Sequence, residues 1–380
     1  MAADLRVGLN LAFLLPGEAG GRETHARELT LALAKARPDL ELVCFVNREA
    51  AAADGFWGEV GRTVRLPLSP RFRPAWAWLE TAGVPIAAAR TQVDVLHSPA
   101  NLGPAVGRFA RVLTLHDVLF RSRPELLTPT MRLGTEALLP PAARRAHRVI
   151  TVSRASREEI VRLLAIPAER VDVVPNGWTP PRTPGDAASA RRWLEAGERP
   201  IALSVASDLP HKNLSALLEA LALLEPPQRP LLAMAGHGTD TGALPGRSRE
   251  LGVERDVRLL GAVAGAALED LYAAAAVLVT ATLLEGFGLP VLEALGRGVP
   301  AACTDLPVFR EVAGDAALWL DPHNPGSVAA GLRRAVAGGP QIERLREQGR
   351  RRAREFEWRA AAERTAEIYE RAAAQARCHG

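Results

Sequence analysis

The sequence predicts an α/β protein with two doubly wound, parallel-sheet domains. Short apolar runs typical of buried strands alternate with helical patterns along the chain, as in parallel sheets that are covered on both faces. The alternation occurs in two series, which a segment rich in proline and glycine separates at residues 179–199. A chain of 380 residues is long enough for two domains of ordinary size.

The first series predicts an N-terminal domain over residues 1–178. It opens with the strand LRVGLNLAFLL, which leads through a turn at Gly20-Gly21 into a helix over 23–36. The dinucleotide-binding pattern G-x-G-x-x-G is absent from this turn, which weakens the interpretation as an NAD(P)-dependent oxidoreductase. Further strands are predicted at 41–47, 63–68, 93–99, 111–117, 148–153 and 170–176, with helices at 75–90, 133–145 and 156–164.

The second series predicts a domain over residues 200–355, after a linker at 179–199. Its strands are predicted at 200–207, 231–236, 257–261, 277–282, 300–305 and 317–321. Its helices are predicted at 213–224, 268–276, 290–297, 307–312, 325–337 and 340–355. Residues 356–380 read as a terminal amphipathic helix that we expect to pack back on the N-terminal domain.

Composition excludes several classes of protein. Apolar residues make up 48% and charged residues 24%, which is typical of a globular chain. No apolar run is long enough to span a bilayer, the N-terminus lacks a secretory signal, and Cys44, Cys303 and Cys378 have neither metal-ligand nor disulfide spacing. We therefore expect a cytoplasmic protein.

The charge pattern bears on partners. The net charge of +4 is mild, and its basic excess lies in the N-terminal half, where it could meet an anionic acceptor or the inner face of a membrane. Because the excess is spread thinly, plain arginine-rich composition is the favoured explanation. No basic cluster is interleaved with aromatic residues, so we expect no nucleic-acid partner.

The most informative stretch is a glycine-rich turn between a buried strand and a helix. Glu285-Gly286-Phe287-Gly288 follows an apolar β-branched run, and Pro290 then opens a helical pattern. Backbone N–H groups and the positive end of a helix dipole suit a phosphate. Glu293 in the first turn leans back toward Glu285, and two carboxylates there would suit sugar hydroxyls. This predicts a nucleotide sugar, and an ordinary strand–loop–helix with a solvated glutamate is the alternative.

Three further positions could carry chemistry. Lys212 is one of two lysines and lies between a strand and a helix, where its ammonium could neutralise a leaving diphosphate; a solvated loop lysine is the alternative. His116 ends a strand and could donate to a sugar hydroxyl or orient an acceptor, or it could pack beside a turn that Asp117 caps. Gly236, in Gly-His-Gly, suits close approach of a flat base, or a simple turn.

Motifs for other chemistries are missing. No Asp-x-Asp pair is present to hold a divalent ion, so no metal site and no cofactor are predicted. No Gly-x-Ser-x-Gly elbow or Walker loop appears, which argues against hydrolase and P-loop chemistry.

At this point the chain resembles the family 4 (group 1) retaining glycosyltransferases, whose GT-B fold has two facing Rossmann-like domains with a cleft between them. The likeness covers nearly the whole chain, and the Glu-x7-Glu segment is its most specific part. It rests on the motifs GGRETHARELTLALA, TLHDVLF, RRAHRVITVSRASREEI, RVDVVPNGW, PHKNLSALLEAL, VRLLGAV, LLEGFGLPVLEALGRGVP and WRAAAERTAEIYERA.

The resemblance implies a role for each matching residue. Glu285 would touch donor-sugar hydroxyls, Glu293 the ribose and Lys212 the diphosphate. The resemblance also places His116 near the transferred sugar, Gly21 near the diphosphate or acceptor, Gly236 and Leu260 near the base, and the backbone of Gly286, Phe287, Gly288 and Leu289 against the sugar and diphosphate. It implies a metal-independent transfer of a hexose with retention, in which the leaving phosphate takes the acceptor proton.

One departure from the family pattern affects the diphosphate. Many members carry an arginine about six residues before the lysine, whereas this chain has Ala206-Ser207-Asp208 in that region. Ser207 could donate a hydrogen bond instead. The donor, a GDP- or UDP-sugar, the acceptor, whether glycan, lipid or small molecule, and the oligomeric state stay open, as does the alternative of a non-catalytic nucleotide-sugar-binding protein.

Overall fold

A computed structural model of the protein describes residues 5–53, 55–181 and 183–378. The chain forms two compact units, one comprising Met1–Gly177 and Glu357–Gly380, the other Trp178–Phe356. The domain boundaries predicted from the sequence fall at residues 178, 200 and 355. Residues 1–4, 54, 182 and 379–380 of those predicted domains lie outside the described residues.

The first unit is built on a parallel sheet with strand order β3-β2-β1-β4-β5-β6-β7. Chain order runs outward in both directions from the adjacent strands β1 and β4, which is the doubly wound arrangement. The strands are β1 (Arg6–Leu11), β2 (Glu41–Val46), β3 (Arg62–Arg65), β4 (Val95–Ser98), β5 (Ala110–Leu115), β6 (Arg148–Thr151) and β7 (Val171–Val173).

Helices join these strands. They are α1 (Gly21–Ala36), α2 (Arg48–Ala53), α3 (Phe56–Val60), α4 (Arg73–Trp78), α5 (Val84–Arg90), α6 (Leu119–Ser122), α7 (Pro129–Arg145) and α8 (Arg154–Leu164). The single helix predicted over 75–90 is instead α4, a π-helical turn at Leu79–Gly83 and α5. Pro85, near the start of α5, has no N–H to donate, so it cannot continue the hydrogen bonds of a regular α-helix.

The second unit repeats the architecture with strand order β10-β9-β8-β11-β12-β13, all parallel. Its strands are β8 (Ile201–Val205), β9 (Leu231–Ala235), β10 (Val257–Leu259), β11 (Ala275–Thr280), β12 (Ala301–Thr304) and β13 (Ala317–Leu320). Nearly every residue of β8, β9 and β12 is buried, as their continuous apolar runs require. The predicted fold class, two doubly wound parallel sheets, is confirmed.

The helices of the second unit cover both faces of its sheet. They are α9 (Ala187–Trp193), α10 (Leu214–Ala222), α11 (Leu244–Glu250), α12 (Gly265–Ala274), α13 (Leu289–Gly296), α14 (Pro307–Ala313), α15 (Pro325–Ala337) and α16 (Pro340–Ala353). Helix α9 lies in the segment 179–199 that the sequence assigns to a linker, and it packs against α12. Asp186 caps it by accepting the N–H groups of Ala188 and Ser189. A seven-residue helix is too short to show a periodic apolar pattern.

The chain ends in α17 (Trp358–Cys378), which belongs to the first unit and packs along α1. Its buried face includes Trp358, Ile368 and Tyr369. The Tyr369 hydroxyl lies 2.7 Å from Nδ1 of His97, a buried residue of β4, and Nε2 of the same ring lies 2.7 Å from the Thr114 hydroxyl. Both ring nitrogens of His97 are therefore used for structure. None of the helices in the described ranges is long and apolar enough to cross a membrane.

Candidate nucleotide-sugar site

In doubly wound sheets, ligands bind outside the carboxyl ends of the strands, where the strand order reverses. In the second unit that point lies between the adjacent strands β8 and β11. Most of the predicted site residues lie just beyond the carboxyl ends of four neighbouring strands of this sheet. Ser207 and Lys212 follow β8, Gly236 follows β9, Leu260 follows β10, and Glu285, Gly286, Phe287, Gly288, Leu289 and Glu293 follow β11.

An ion pair joins the two loops at the reversal point. The Lys212 Nζ donates to Oε2 of Glu285 at 2.6 Å, and the two side chains are 19% and 21% exposed. Asn213, in the left-handed region at φ 52°, donates from Nδ2 to the carbonyls of Ala281 and Pro322. The N–H of Leu283 also donates to the carbonyl of His211 at 2.7 Å. The lysine and the glutamate are thus held side by side by bonds that do not involve their own charged groups.

The glycine-rich turn leads directly into α13. Gly288 precedes the helix with φ 90°, and a Cβ there would lie 2.3 Å from the Phe309 ring, so glycine is required on both counts. The helix starts at Leu289, one residue before Pro290, and has no side-chain cap. Phe287 is buried with its ring 5.8 Å from that of Phe356, so this residue presents backbone rather than side chain. An uncapped helix start of this kind suits an anion.

Glu293 is held by a residue that the sequence analysis missed. Its Oε2 accepts the hydroxyl hydrogen of Tyr272, on α12, at 2.8 Å. Tyr272 is fully buried, and burial together with the neighbouring Glu293 charge raises the pKa of its hydroxyl well above the usual range. The hydroxyl therefore stays a donor at any working pH and fixes one oxygen of the carboxylate. Because Tyr272 is an apolar-face residue of an ordinary helix, no local pattern distinguishes it.

The turns after β8, β9 and β10 are joined by hydrogen bonds and close backbone contacts. Gly236 donates to the carbonyl of Gly261 at 2.7 Å, and a Cβ at Gly236 would lie 1.9 Å from the carbonyl oxygen of Ala206, next to Ser207. Thr239, also missed from sequence, is fully buried. Its hydroxyl donates to the Gly236 carbonyl at 2.9 Å and accepts the N–H of Gly261 at 3.0 Å. The predicted base-binding turns at Gly236 and Leu260 are therefore one rigid assembly.

The first unit holds the other two predicted residues, His116 and Gly21. His116 follows β5 and is fixed on three sides: its N–H donates to Asn101, its carbonyl accepts from Ser156, and its Nε2 lies 2.9 Å from the Pro99 carbonyl. Since a carbonyl only accepts, Nε2 carries the hydrogen and Nδ1 the lone pair. Desolvation lowers the pKa of the ring to about 4, so the imidazole is neutral at neutral pH.

Asp117, the neighbour of His116, accepts the N–H of Leu119 at 3.0 Å and so supports the turn before α6. This is the capping role considered as the alternative for the His-Asp pair. It leaves the imidazole of His116 with its own contacts. The two functions can therefore coexist in adjacent residues.

Gly21 is the first residue of α1, preceded by Gly20 at φ 56°. One turn later on the same helix is His25, a buried residue that the sequence analysis did not single out. The His25 ring stands perpendicular to that of His116, with centroids 4.8 Å apart, and its Nδ1 lies 2.7 Å from Oδ1 of Asn176. Burial lowers the pKa of His25 to about 3. The end of β5 and the start of α1 are thus joined by two neutral imidazoles.

Within the described ranges, no group of three or more His, Cys, Asp or Glu side chains is placed to hold a metal ion. The positive charge that the candidate site offers comes from the Lys212 ammonium and from the N-terminus of α13. The arrangement can hold a phosphate beside a polyol.

Two family profiles match the chain. The profile described as "Glycosyl transferases group 1" matches residues 187–352, and that described as "Glycosyltransferase Family 4" matches residues 19–199. The O-antigen chain mannosyltransferase B of Escherichia coli is 30% identical over an alignment of 264 residues that covers 68% of this chain and 69% of the relative. A D-inositol 3-phosphate glycosyltransferase of Actinosynnema mirum is 30% identical over an alignment of 369 residues that covers 85% of this chain and 87% of the relative.

Solved structures show the same fold. Anabaena HepE, in complex with UDP and glucose, superposes with a TM-score of 0.76 at 18% sequence identity, covering 96% of this chain and 99% of HepE. At that identity the match establishes the architecture alone.

Proposed function

We propose a reaction for this chain from the premise that these matches establish: the chain belongs to the family 4 glycosyltransferases of group 1. It transfers a hexose from a nucleotide diphosphate sugar to a hydroxyl group of an acceptor. The transfer retains the anomeric configuration and needs no metal ion. The observation that carries the proposal is the Lys212–Glu285 pair beside the start of α13, at the point where the strand order reverses.

The donor diphosphate lies against the backbone of Gly286 to Leu289, at the positive end of α13. Lys212 supplies the formal positive charge that balances the departing phosphate. Glu285 neutralises this ammonium in the structure. Donor binding then divides the pair, so that Lys212 turns to the phosphate and Glu285 accepts hydrogen bonds from hydroxyl groups of the transferred sugar.

The nucleoside extends along the strand ends toward β10. Glu293 accepts a ribose hydroxyl with the carboxylate that Tyr272 orients. Gly236 and Leu260 flank the base, where the absence of a side chain at Gly236 allows close approach. Ser207, at the end of β8, donates to the diphosphate where an arginine is absent. Support for this path comes from the shared edge on which all of these residues lie.

In the first unit, His116 and Gly21 serve the transferred sugar and the acceptor. The neutral imidazole of His116 carries its hydrogen on Nε2, so Nδ1 accepts a hydrogen bond from a sugar hydroxyl. Transfer takes place on one face of the donor. The acceptor oxygen bonds to the anomeric carbon as the bond from that carbon to the phosphate oxygen breaks, and the acceptor proton passes to the released phosphate.

The test is turnover with a panel of nucleotide sugars, with the product anomer determined by NMR and the reaction repeated in excess EDTA. We expect one nucleotide sugar to be consumed, an unchanged anomeric configuration, and the same rate with the chelator. Inversion would exclude the one-face transfer, and loss of turnover in EDTA that Mg²⁺ restores would exclude metal independence.

A lysine pair gives a matched control. Lys212→Met removes the proposed phosphate contact, whereas Lys35→Met removes the chain's other lysine, which is exposed on α1. Lys212→Met should weaken the binding of a nucleotide sugar and of its free nucleoside diphosphate by a similar factor. Lys35→Met should change neither affinity. Binding without turnover of any donor in the wild type would instead favour a non-catalytic nucleotide-sugar-binding protein.

The acceptor is a hydroxyl-bearing glycan, lipid or small molecule, and we place the protein in the cytoplasm with peripheral contact to the membrane. Free thiols at its three cysteines are usual for a reducing compartment. Phe72 and Trp78, at α4, are 67% and 48% exposed, which suits contact with lipid. Co-sedimentation with anionic vesicles that Phe72→Ser abolishes would support the contact, and wild-type protein left in the supernatant would exclude it.

A further inference from the structure

The carboxylate of Asp240 lies directly over the backbone of Gly261. A Cβ on residue 261 would lie 2.8 and 3.0 Å from Oδ2 and Oδ1 of Asp240, so the glycine leaves room for the carboxylate in this position. Gly261 also has φ 62°, where other residues are strained. Asp240 itself is exposed. Over the described ranges no hydrogen bond or ion pair occupies its carboxylate, in contrast to Glu285 and Glu293.

The turn that carries Asp240 is rigid. Its neighbour Thr239 is buried and bonded both to the Gly236 carbonyl and to the Gly261 N–H. The N–H of Gly236 bonds in turn to the Gly261 carbonyl. The backbone at residue 240 is therefore fixed relative to the ends of β9 and β10, so the Asp240 side chain projects from a defined point of the turn.

This carboxylate lies at the far end of the proposed donor path. Lys212 follows β8, and Gly261 follows β10, two strands away in the same sheet. Neighbouring strands are about 4.8 Å apart, so the two positions are separated by roughly 10 Å. That separation is comparable with the distance from the terminal phosphate of a nucleoside diphosphate to its base. The inference rests on the proposed function, because that function places the diphosphate at Lys212.

A carboxylate selects among bases by their hydrogen-bond donors. Its two oxygens accept in parallel, and guanine offers two adjacent donors on its Watson–Crick edge, N1–H and the N2 amino group. Uracil presents a single N3–H between two carbonyl oxygens, which a carboxylate repels, and adenine presents one amino group beside a ring acceptor. A polar group that the bound base leaves without a hydrogen-bond partner is costly, which is why such sites discriminate.

We propose that Asp240 binds the Watson–Crick edge of guanine and that the donor is a guanosine diphosphate sugar. Thr239 and Gly261 act as positioning residues, since the first fixes the turn and the second leaves room for the carboxylate. Discrimination of a bidentate contact against the wrong base is worth about 5- to 150-fold in affinity.

The experiment is calorimetric binding of free GDP, IDP, UDP and ADP to the full chain, which requires no acceptor and no turnover. Wild type should bind GDP at least about tenfold more tightly than UDP or ADP. IDP, which lacks only the N2 amino group, should lie between GDP and UDP. This arm needs no variant and so does not depend on how a substitution folds.

Asp240→Asn, at an exposed position, should weaken the binding of GDP by about tenfold or more and leave the affinity for UDP unchanged. Glu254→Gln is the matched control, because this substitution removes the same charge from an exposed residue beside the opposite, amino end of β10. It should change none of the four affinities.

Three results would overturn the inference. Wild type could prefer UDP or ADP to GDP, IDP could bind as tightly as GDP, or Asp240→Asn could weaken all four nucleotides equally, which would reveal a general charge effect. Each of these leaves the proposed function standing, since a nucleoside diphosphate still binds. Binding of none of the four would contradict the proposed function and this inference together.

Discussion

Replacing Glu285 by glutamine should strengthen the binding of a free nucleoside diphosphate while abolishing sugar transfer. Glu285 opposes the bare diphosphate in two ways: it neutralises the Lys212 ammonium at 2.6 Å, and its own negative charge lies beside the phosphate site. The sugar hydroxyls that would compensate are missing from the free nucleotide. Glutamine keeps the size and a carbonyl acceptor but removes the charge.

The magnitude follows from the pair. A hydrogen bond between charged groups contributes about 1.5–3 kcal/mol, and both partners here are about four-fifths removed from solvent. Releasing Lys212 should therefore tighten diphosphate binding by about 10- to 100-fold, since about 1.4 kcal/mol corresponds to a factor of ten. Transfer should fall by about 100-fold or more, because the contact to the reacting sugar loses its charge.

The assay combines calorimetry of the nucleoside diphosphate that wild type prefers with the rate of transfer from the corresponding nucleotide sugar. Glu219→Gln serves as the control: it removes another glutamate of the same unit from an ion pair, with Arg247, at 2.8 Å. The control should leave diphosphate affinity unchanged. Unchanged or weaker diphosphate binding in Glu285→Gln would refute the claim that Glu285 restrains the phosphate-binding lysine.

Three further expectations concern the scaffold of the site and the first unit. Gly288→Ala should destabilise the protein by about 1–3 kcal/mol through strain and overpacking and weaken nucleotide binding, whereas Gly246→Ala, in open space on α11, should not; equal melting temperatures for the two would contradict the geometry. Thr239→Val should lower the free energy of unfolding by about 1–3 kcal/mol, because it leaves the Gly261 N–H without its acceptor, and Thr239→Ser should restore stability and nucleotide binding. A valine variant as stable as wild type would show that the Thr239 hydroxyl does not hold the two turns together. His25, His97 and His116 are buried neutral imidazoles whose pKa lies below that of an exposed histidine. The free energy of unfolding, measured by urea titration, should therefore fall as the pH drops from 6.5 toward 4, by about 1.4 kcal/mol per pH unit for each ring, because only the unfolded chain binds these protons. A free energy of unfolding that does not change with pH would show that the rings take up protons in the folded state.

The strands were accessible from sequence because a parallel sheet buries both faces. Each strand in the described ranges coincides with a predicted apolar run, for example Ile201–Val205 and Ala301–Thr304. Short helices were not accessible in the same way. Helices α9 and α11 have seven residues each, which is too few for a periodic pattern to emerge from the surrounding polar sequence.

The site was predictable where a residue type is unusual in its local setting. Lysine is rare in this chain, which makes Lys212 conspicuous, and Glu285 adjoins a glycine-rich turn, so both residues could be identified without a structure. Their mutual contact spans 73 positions and depends on strand order, which no local pattern reveals. Thr239 and Tyr272 lack any such signal, because a threonine in a turn and a tyrosine on a helix are ordinary until their hydroxyls are placed.

A buried acid in the first unit shows a similar limit. Glu80 lies in the π-helical turn, is 1% exposed, and accepts Nδ2 of Asn10 at 2.6 Å. Burial raises the pKa of its carboxyl to about 8. From sequence, a glutamate between Leu79 and Thr81 in a predicted helix is expected on the surface. The residue lies in a π-helical turn, whose hydrogen-bond spacing differs from that of the α-helix that the sequence predicts.

The most direct test is a crystal structure of the protein soaked with a nucleoside diphosphate. The diphosphate should lie with its oxygens about 2.7–3.2 Å from the backbone N–H groups of Gly286 to Leu289, with the Lys212 ammonium turned from Glu285 toward it. A well-ordered nucleotide bound elsewhere on the chain, with the Lys212–Glu285 pair intact and the start of α13 empty, would contradict the central claim.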